Sequence, residues 1–359
     1  MGEPQVVVLN NIGGGFDILV HRLPHANETV MMHGMLMSED LAKGGNVAVA
    51  LSRLGVPTAI IGKIGCDEAG RRDAAWMEEA GVDLSELLRD PAVTTGQGIG
   101  LVADDGQNIM ITGESSSAHL TEDEVMGALE RLAEAEWFVC GLEVRHQLVL
   151  PAMRRAHEMG MRTVFNPSPV PDGGIDLPFV GCDLLFVNEV ELCLLLGRNP
   201  AGLCAGDVEG LCRSLAEASG CKTIVVTLGA DGAVVLEGDA FTHVEPVRVE
   251  AIDASGAGDG FMAATVARLI AGDALVDACR WARAYAALSV TRRDCLPGYS
   301  APAEVEDFAR AHDICIWHEQ SRGRGGAHAG VSNQPGGHAA LVHHSQGGAG
   351  RPPREQGRV

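Results

Sequence analysis

Short apolar runs rich in β-branched residues alternate with segments of helical spacing through most of this chain, and few folds accept that rhythm. Gln5 to Leu9, Thr58 to Gly62, Trp137 to Cys140, Arg162 to Phe165, Leu184 to Val187 and Thr223 to Leu228 read as strands. Asn46 to Leu54, Asp67 to Ala80, Thr121 to Ala135, Gln147 to Glu158 and Val208 to Ala218 carry helical patterns between them. Thr121-Glu-Asp-Glu124 reads as the capping box of the third of these helices. Strands separated by helices pair in parallel and need cover on both faces, so the expected fold is α/β, a mostly parallel central sheet between helical layers. Two segments break the rhythm. Ile18 to Ser38 is extended and mixed in polarity, and Gly98 to Val102 with Asn108 to Thr112 flanks a turn at Asp104-Asp-Gly106, a hairpin pattern. Together, over about 15–40 and 95–115, they would make a small second sheet, either a lid over the strand ends where ligands of such sheets bind or a plain surface hairpin.

The chain has 359 residues and a formal net charge of −21, which argues against nucleic acid or an anionic membrane as partner. No apolar run approaches the roughly 20 residues of a membrane span. The N-terminus lacks a basic region followed by an apolar stretch, so no signal peptide is expected. The 10 cysteines are scattered without a CxxC pair, as free thiols in a reducing cytoplasm would be. Residues 321–359 hold 10 glycines, five arginines, four histidines and a single acidic residue, with no periodic apolar face. Such a tail is expected to be disordered, an appendage or an out-of-frame extension, leaving 1–320 as the folded domain. His343-His344 within it reads as incidental rather than as a metal site.

Asp253-Ala-Ser-Gly-Ala-Gly-Asp259-Gly260-Phe261 carries the chemistry. A strand-like segment, Val244 to Ile252, precedes it, and Phe261 to Ile270 has helical spacing. Gly256 and Gly258 let the backbone approach a ligand, and free amides in a helix's first turn favour an anion. A carboxylate there is suited to take a proton from a hydroxyl that attacks phosphate. Alone, such a turn reads as structural. Other polar groups recur at strand ends: Asp17, Glu143, Asn188-Glu-Val-Glu191 and Thr227-Leu-Gly229 with Gly232 beyond. Lys43-Gly-Gly-Asn46 opens the helix Val47 to Leu54, offering hydroxyl-binding donors or simply a cap at Asn46. Gly13-Gly-Gly15 lacks the third glycine of a dinucleotide fingerprint, because that position is Ile18. Gly62-Lys63 is followed by Ile64 rather than Ser or Thr, so a Walker loop fails too.

Lys43 to Gly55 and Asp253 to Phe261 resemble the two signatures of the ribokinase (pfkB) family of carbohydrate kinases. Asn166-Pro-Ser-Pro169, Asn188-Glu-Val-Glu191 and Val226-Thr-Leu-Gly229-Ala-Asp-Gly232 fall between them in family order, over about residues 4–312. The resemblance implies a ribokinase-like three-layer α/β/α sandwich with a β lid, and ATP-dependent phosphorylation of a sugar, D-ribose giving ribose 5-phosphate. It implies Asp259 as base and Gly256, Ala257 and Gly258 as anion hole. Asp17, Lys43, Gly44, Asn46, Glu143 and Asp259 would hold the sugar. Asn188, Glu191, Thr227, Gly229, Gly232 and Gly258 would hold ATP, with Mg²⁺ near Glu191 and K⁺ at Asp253 and Ser255. A homodimer is expected from exposed lid strands. The chain departs from the family pattern twice. Gly15 stands where an asparagine is common, and Thr291-Arg-Arg-Asp294-Cys295 where Gly-Ala is common. A nucleoside, fructose or 2-keto-3-deoxygluconate kinase, and a non-catalytic sugar- or nucleotide-binding protein, are the alternatives.

Overall fold

The computed structural model describes residues 3–316, apart from 106, 114, 115, 202 and 204. The tail expected at 321–359 lies outside the described residues. In chain order, β1 (Val6–Leu9), β2 (Gly13–Val20) and β3 (Met32–Ser38) lead into α1 (Ala42–Arg53), then β4 (Thr58–Gly65), α2 (Glu68–Glu79) and β5 (Leu87–Asp90). β6 (Gly96–Ala103) and β7 (Asn108–Thr112) precede α3 (Glu122–Arg131), β8 (Trp137–Gly141), α4 (His146–Glu158), β9 (Arg162–Asn166), β10 (Leu184–Asn188) and α5 (Glu189–Leu195). α6 (Val208–Ser219), β11 (Thr223–Thr227), β12 (Ala233–Glu237) and β13 (Ala240–Val244) follow. α7 (Ala257–Ile270), α8 (Leu275–Ser289), α9 (Cys295–Gly298) and α10 (Pro302–Ala311) complete the fold.

Nine strands form the central sheet in the order β13-β12-β11-β10-β9-β8-β1-β4-β5. β11 through β5 run parallel, and β12 and β13 add an antiparallel edge. Alternate side chains of β1 divide two cores. Val6 and Val8 pack with α1, α7 and α8, while Val7 and Leu9 pack with α3 and α4. That alternation is the three-layer α/β/α sandwich expected. The second sheet, β3-β2-β6-β7, contains the expected hairpin, with Leu101 opposite Ile109 and Ile99 opposite Ile111. The capping box at Thr121 forms, Glu124 Oε2 accepting from the Thr121 amide at 2.8 Å.

Three local expectations are corrected. Only Val244 of the segment Val244 to Ile252 lies in a strand. Pro246 has no N–H to give a ladder. The segment is instead tied to the end of α8, where the Ile252 and Asp253 amides both donate to the Val290 carbonyl (2.7 and 3.1 Å). The helix after it begins at Ala257, four residues before Phe261. α1 begins at Ala42, so Lys43 to Asn46 lie inside its first turns and Asn46 is not its cap. Glycine within a helix costs about 1 kcal/mol against alanine. Gly44 is accommodated by close packing: a Cβ there would stand 2.3 Å from the Asn11 carbonyl oxygen.

Gly13 to Gly15 form no phosphate loop but the start of β2, where Cβ atoms on Gly13 and Gly15 would meet the Gly96 and Gly98 oxygens at 2.4 Å. Lys63 is buried and committed to Glu124 at 2.9 Å, which removes it from any phosphate role.

Candidate active site

The C-terminal ends of β8, β9, β10 and β11 converge with the N-terminal ends of α1 and α7. A small cavity there is lined by Lys43, Asn166, Asn188, Glu191, Thr227 and Asp259, among others. A larger cavity, about 530 Å³, opens beside α5 and α6 around Arg198 and Asp207.

Gly256 caps α7 with φ +67°, a left-handed conformation that frees the helix's first amides. Tyr299 Oη donates to the Gly256 carbonyl at 3.1 Å and fixes the turn from below. The Ala257 amide donates back to Ala254 at 3.3 Å. The amides of Gly258 and Asp259 donate to no backbone carbonyl among the described residues. Of the expected anion hole, then, Ala257 is turned inward, and Gly258 with Asp259 supplies the free donors.

The Asp259 carboxylate is buried, and Lys43 Nζ lies 3.5 Å from its Oδ1. Burial raises Asp259 above its ordinary range, Lys43 pulls it down and Asp40 pushes it up again, while Asn46 donates to it. Burial alone would lower Lys43, but Asp259, Glu143 and Glu191 outweigh it and hold the ammonium charged. Glu143 accepts from the Lys43 amide at 3.0 Å, and its own amide donates to Asn10 Oδ1 at 3.2 Å. Burial pushes the Glu143 carboxyl up to about 7. Lys43, Gly44, Asn46, Glu143 and Asp259 are thus brought together. Asp17 stands opposite Leu36 and Gly100 in the lid sheet, and its charge acts on Asp294. Asp40, which the sequence reading missed, also acts on the cluster. Its Oδ1 accepts from Asn46 Nδ2 at 3.1 Å, and its Oδ2 accepts from the Cys295 thiol at 3.3 Å.

Asn188 and Glu191 cap each other, the Glu191 amide donating to Asn188 Oδ1 (2.8 Å) and the Asn188 amide to Glu191 Oε2 (2.9 Å). Glu191 Oε1 takes no part in that pair, so a buried carboxylate oxygen remains for a hydrated Mg²⁺ beside the cavity. Gly229 and Gly232 turn the chain after Thr227 with positive φ, and a Cβ on Gly232 would overlap the Val244 oxygen at 2.2 Å. Asp253 accepts amides from Ser255 and Asp294, both at 2.9 Å, which outweigh burial and hold its carboxyl below the usual range. Burial and then the Asp253 charge raise Asp294. Two crowded carboxylates beside the Ser255 turn are a donor set that suits a hard cation.

The raised Glu143 has a measurable consequence. Between its ordinary 4.5 and about 7, the folded state keeps a proton that the unfolded chain has released. Stability contributed by this group is therefore present below pH 4.5 and lost as pH rises to 7, by at most about 3 kcal/mol. Glu143→Gln should remove that slope. Urea unfolding at both pH values should show the variant gaining on the wild type as pH rises, and a pH-independent difference contradicts the assignment.

A buried carboxylate at a helix N-terminus, with a lysine and free amides beside it at the parallel strand ends, fits a phosphotransferase that acts on an alcohol. The profile described as "pfkB family carbohydrate kinase" matches residues 43–302. The ribokinase of Mus musculus is 28% identical over 262 residues, 72% of this chain and 80% of the mouse protein. That of Staphylococcus aureus (strain COL) is 28% identical over 295 residues, 80% of this chain and 94% of its own length. The structure of Arabidopsis thaliana ribokinase complexed with ribose and ATP superposes with a TM-score of 0.74 at 22% identity, covering 86% of this chain and 99% of the plant chain. This chain belongs to the pfkB family of carbohydrate kinases, and it is a sugar kinase.

Proposed function

We propose that the protein transfers the γ-phosphoryl group of ATP to the primary hydroxyl of D-ribose, giving ribose 5-phosphate. The observation that carries this is the Asp259 carboxylate, buried beside Lys43 and attached to the free amides that open α7. The ribokinase relatives from mouse and Staphylococcus aureus, and the ribose-bound plant homologue, support the choice of sugar.

Asp259 takes the proton of the attacking hydroxyl, and its raised proton affinity strengthens it as a base. Lys43, Asn46 and Glu143 orient the sugar. The Gly258 and Asp259 amides stabilise charge on the phosphoryl group as it transfers. Asn188, Glu191, Thr227, Gly229 and Gly232 border the nucleotide, and Glu191 holds Mg²⁺ through water. Bound Mg²⁺ supplies charge neutralisation of the phosphates. Asp253, Asp294 and the Ser255 carbonyl hold K⁺, which offsets the repulsion of the two carboxylates.

The lid register supports a homodimer. Phe16 and Ile18 of β2 stand opposite Met37 and Met35 of β3 and beside Ile99 and Leu101 of β6, which pair with Ile111 and Ile109 of β7. That single apolar face spans all four strands. Met35, Met37, Ile109 and Ile111 on it are exposed, and a second copy of the chain would cover them. Cys66, Cys140, Cys182, Cys193, Cys212, Cys221, Cys279 and Cys295 carry free thiols, which supports a reducing, cytoplasmic setting.

A second acceptor has one observation in its favour. Gly13 to Gly15 bring no side chain to the sugar, while Asp40 adds a carboxylate to the cluster. The test of both readings is a panel of ribose, fructose, 2-keto-3-deoxygluconate, adenosine and pseudouridine with MgATP, run with and without potassium. Ribose should lead in kcat/KM, and potassium should raise its rate. Another acceptor far ahead of ribose would move the assignment to that sugar or nucleoside. Binding without transfer on any acceptor would leave a binding protein.

A further inference from the structure

Three side chains meet at one end of the lid sheet, away from the kinase cluster. His21 follows β2, His33 lies in β3 and Asp104 begins the β6–β7 turn. His21 Nδ1 lies 2.8 Å from Asp104 Oδ2, and His33 Nε2 lies 3.0 Å from Asp104 Oδ1. The imidazole rings stack with centroids 4.6 Å apart. One ligand atom from each residue falls within 4.8 Å of the other two, an arrangement that no other trio of His, Cys, Asp or Glu reaches among the described residues.

The backbone aims one of these groups. Pairing of β2 with β3 runs from Leu19 opposite Gly34 directly to Val20 opposite Met32. His33 is therefore the extra residue of a β-bulge. A bulge breaks the in-out alternation of a strand and redirects the side chain it carries. Here it turns an imidazole towards the carboxylate that His21 already meets from the neighbouring strand.

We propose that His21, His33 and Asp104 form a site for a divalent transition metal of the zinc class, which fastens the β3 bulge to the β6–β7 turn. Two imidazoles and one carboxylate suit zinc, cobalt, nickel or copper, whereas Mg²⁺ prefers an all-oxygen shell. Ligands of a tetrahedral zinc at about 2.0 Å stand roughly 3.3 Å apart. The two N···O separations, 2.8 and 3.0 Å, fall just short of that value, the three ligand atoms lie within 4.8 Å of one another, and all three side chains are exposed enough to adjust. Water completes the shell. The site is separate from the Mg²⁺ that accompanies ATP, because none of its ligands borders the nucleotide cavity.

The test is a titration of the full-length protein with Co²⁺, followed by displacement with Zn²⁺. The wild type should develop the visible bands of four-coordinate cobalt at about one equivalent, keep them in excess Mg²⁺ and lose them to Zn²⁺. His33→Ala and Asp104→Asn should each weaken binding at least about tenfold without lowering Tm, since both residues are at the surface. A His343→Gln/His344→Gln double variant should bind like the wild type. Zn²⁺ should also slow hydrogen exchange at residues 18–20, 32–34 and 102–104. Bands that survive His33→Ala, or that vanish in the His343/His344 variant, would overturn the site, and unchanged exchange would overturn the fastening.

Discussion

Asp259→Asn is expected to lower kcat by between a hundredfold and about ten-thousandfold, the usual contribution of a positioned general base. Asparagine keeps the shape of the side chain and cannot accept the proton. Nucleotide binding should survive, because the Gly258 and Asp259 amides belong to the backbone and the residues around the phosphates are untouched. Removing a negative charge from beside those phosphates should tighten ATP if it changes it at all. Losing the Lys43 ion pair is offset by relief of the buried charge, and Lys43 keeps Glu143 and Glu191, so stability should change little. Loss of turnover with retained ATP affinity and unchanged Tm is thus the expected pattern. A variant with near-normal kcat would require another base, and Asp40 or Glu143 would be the groups to test next.

The parts of this molecule that were legible in the sequence are those fixed by local rules. Short apolar β-branched runs and helical spacing gave the sheet and its helices, the Asp104–Gly106 turn gave the lid hairpin, and Thr121–Glu124 gave a cap. The Gly256–Asp259 run could be placed at a helix start because glycine, small residues and an acid have few other reasons to stand together there. What was missed depends on distant chain segments. Asp40 lies in a polar loop with no periodic signal; it meets Asn46 in the opening turns of α1 and Cys295 of α9, 255 residues away in sequence. Val244 to Ile252 has β-branched residues but no neighbouring strand, and Pro246 ends the pairing that β13 began.

Gly256→Ala should disable the enzyme by a different route, through geometry rather than proton transfer. Alanine at φ +67° costs roughly 1–2 kcal/mol. The new Cβ would also stand 2.4 Å from Tyr299 Oη and 2.6 Å from Cys295 Sγ. Both groups are buried, and the Tyr299 hydroxyl is committed to the Gly256 carbonyl, so neither can simply swing aside. Overpacking of this kind costs about 1–3 kcal/mol more. The turn must therefore move, and with it the Gly258 and Asp259 amides and the base. A displacement of about 1 Å at a reacting centre can cost on the order of a hundredfold in rate. The expected result is a fall in Tm together with a kcat reduced by about that factor, whereas Asp259→Asn reduces kcat alone. Adding Tyr299→Phe removes the atom nearest the new methyl group and should restore part of the stability. The left-handed strain stays, so kcat should remain low. Full recovery of kcat in the double variant would mean that the clash alone set the turn, and that φ at position 256 does not matter to the anion hole.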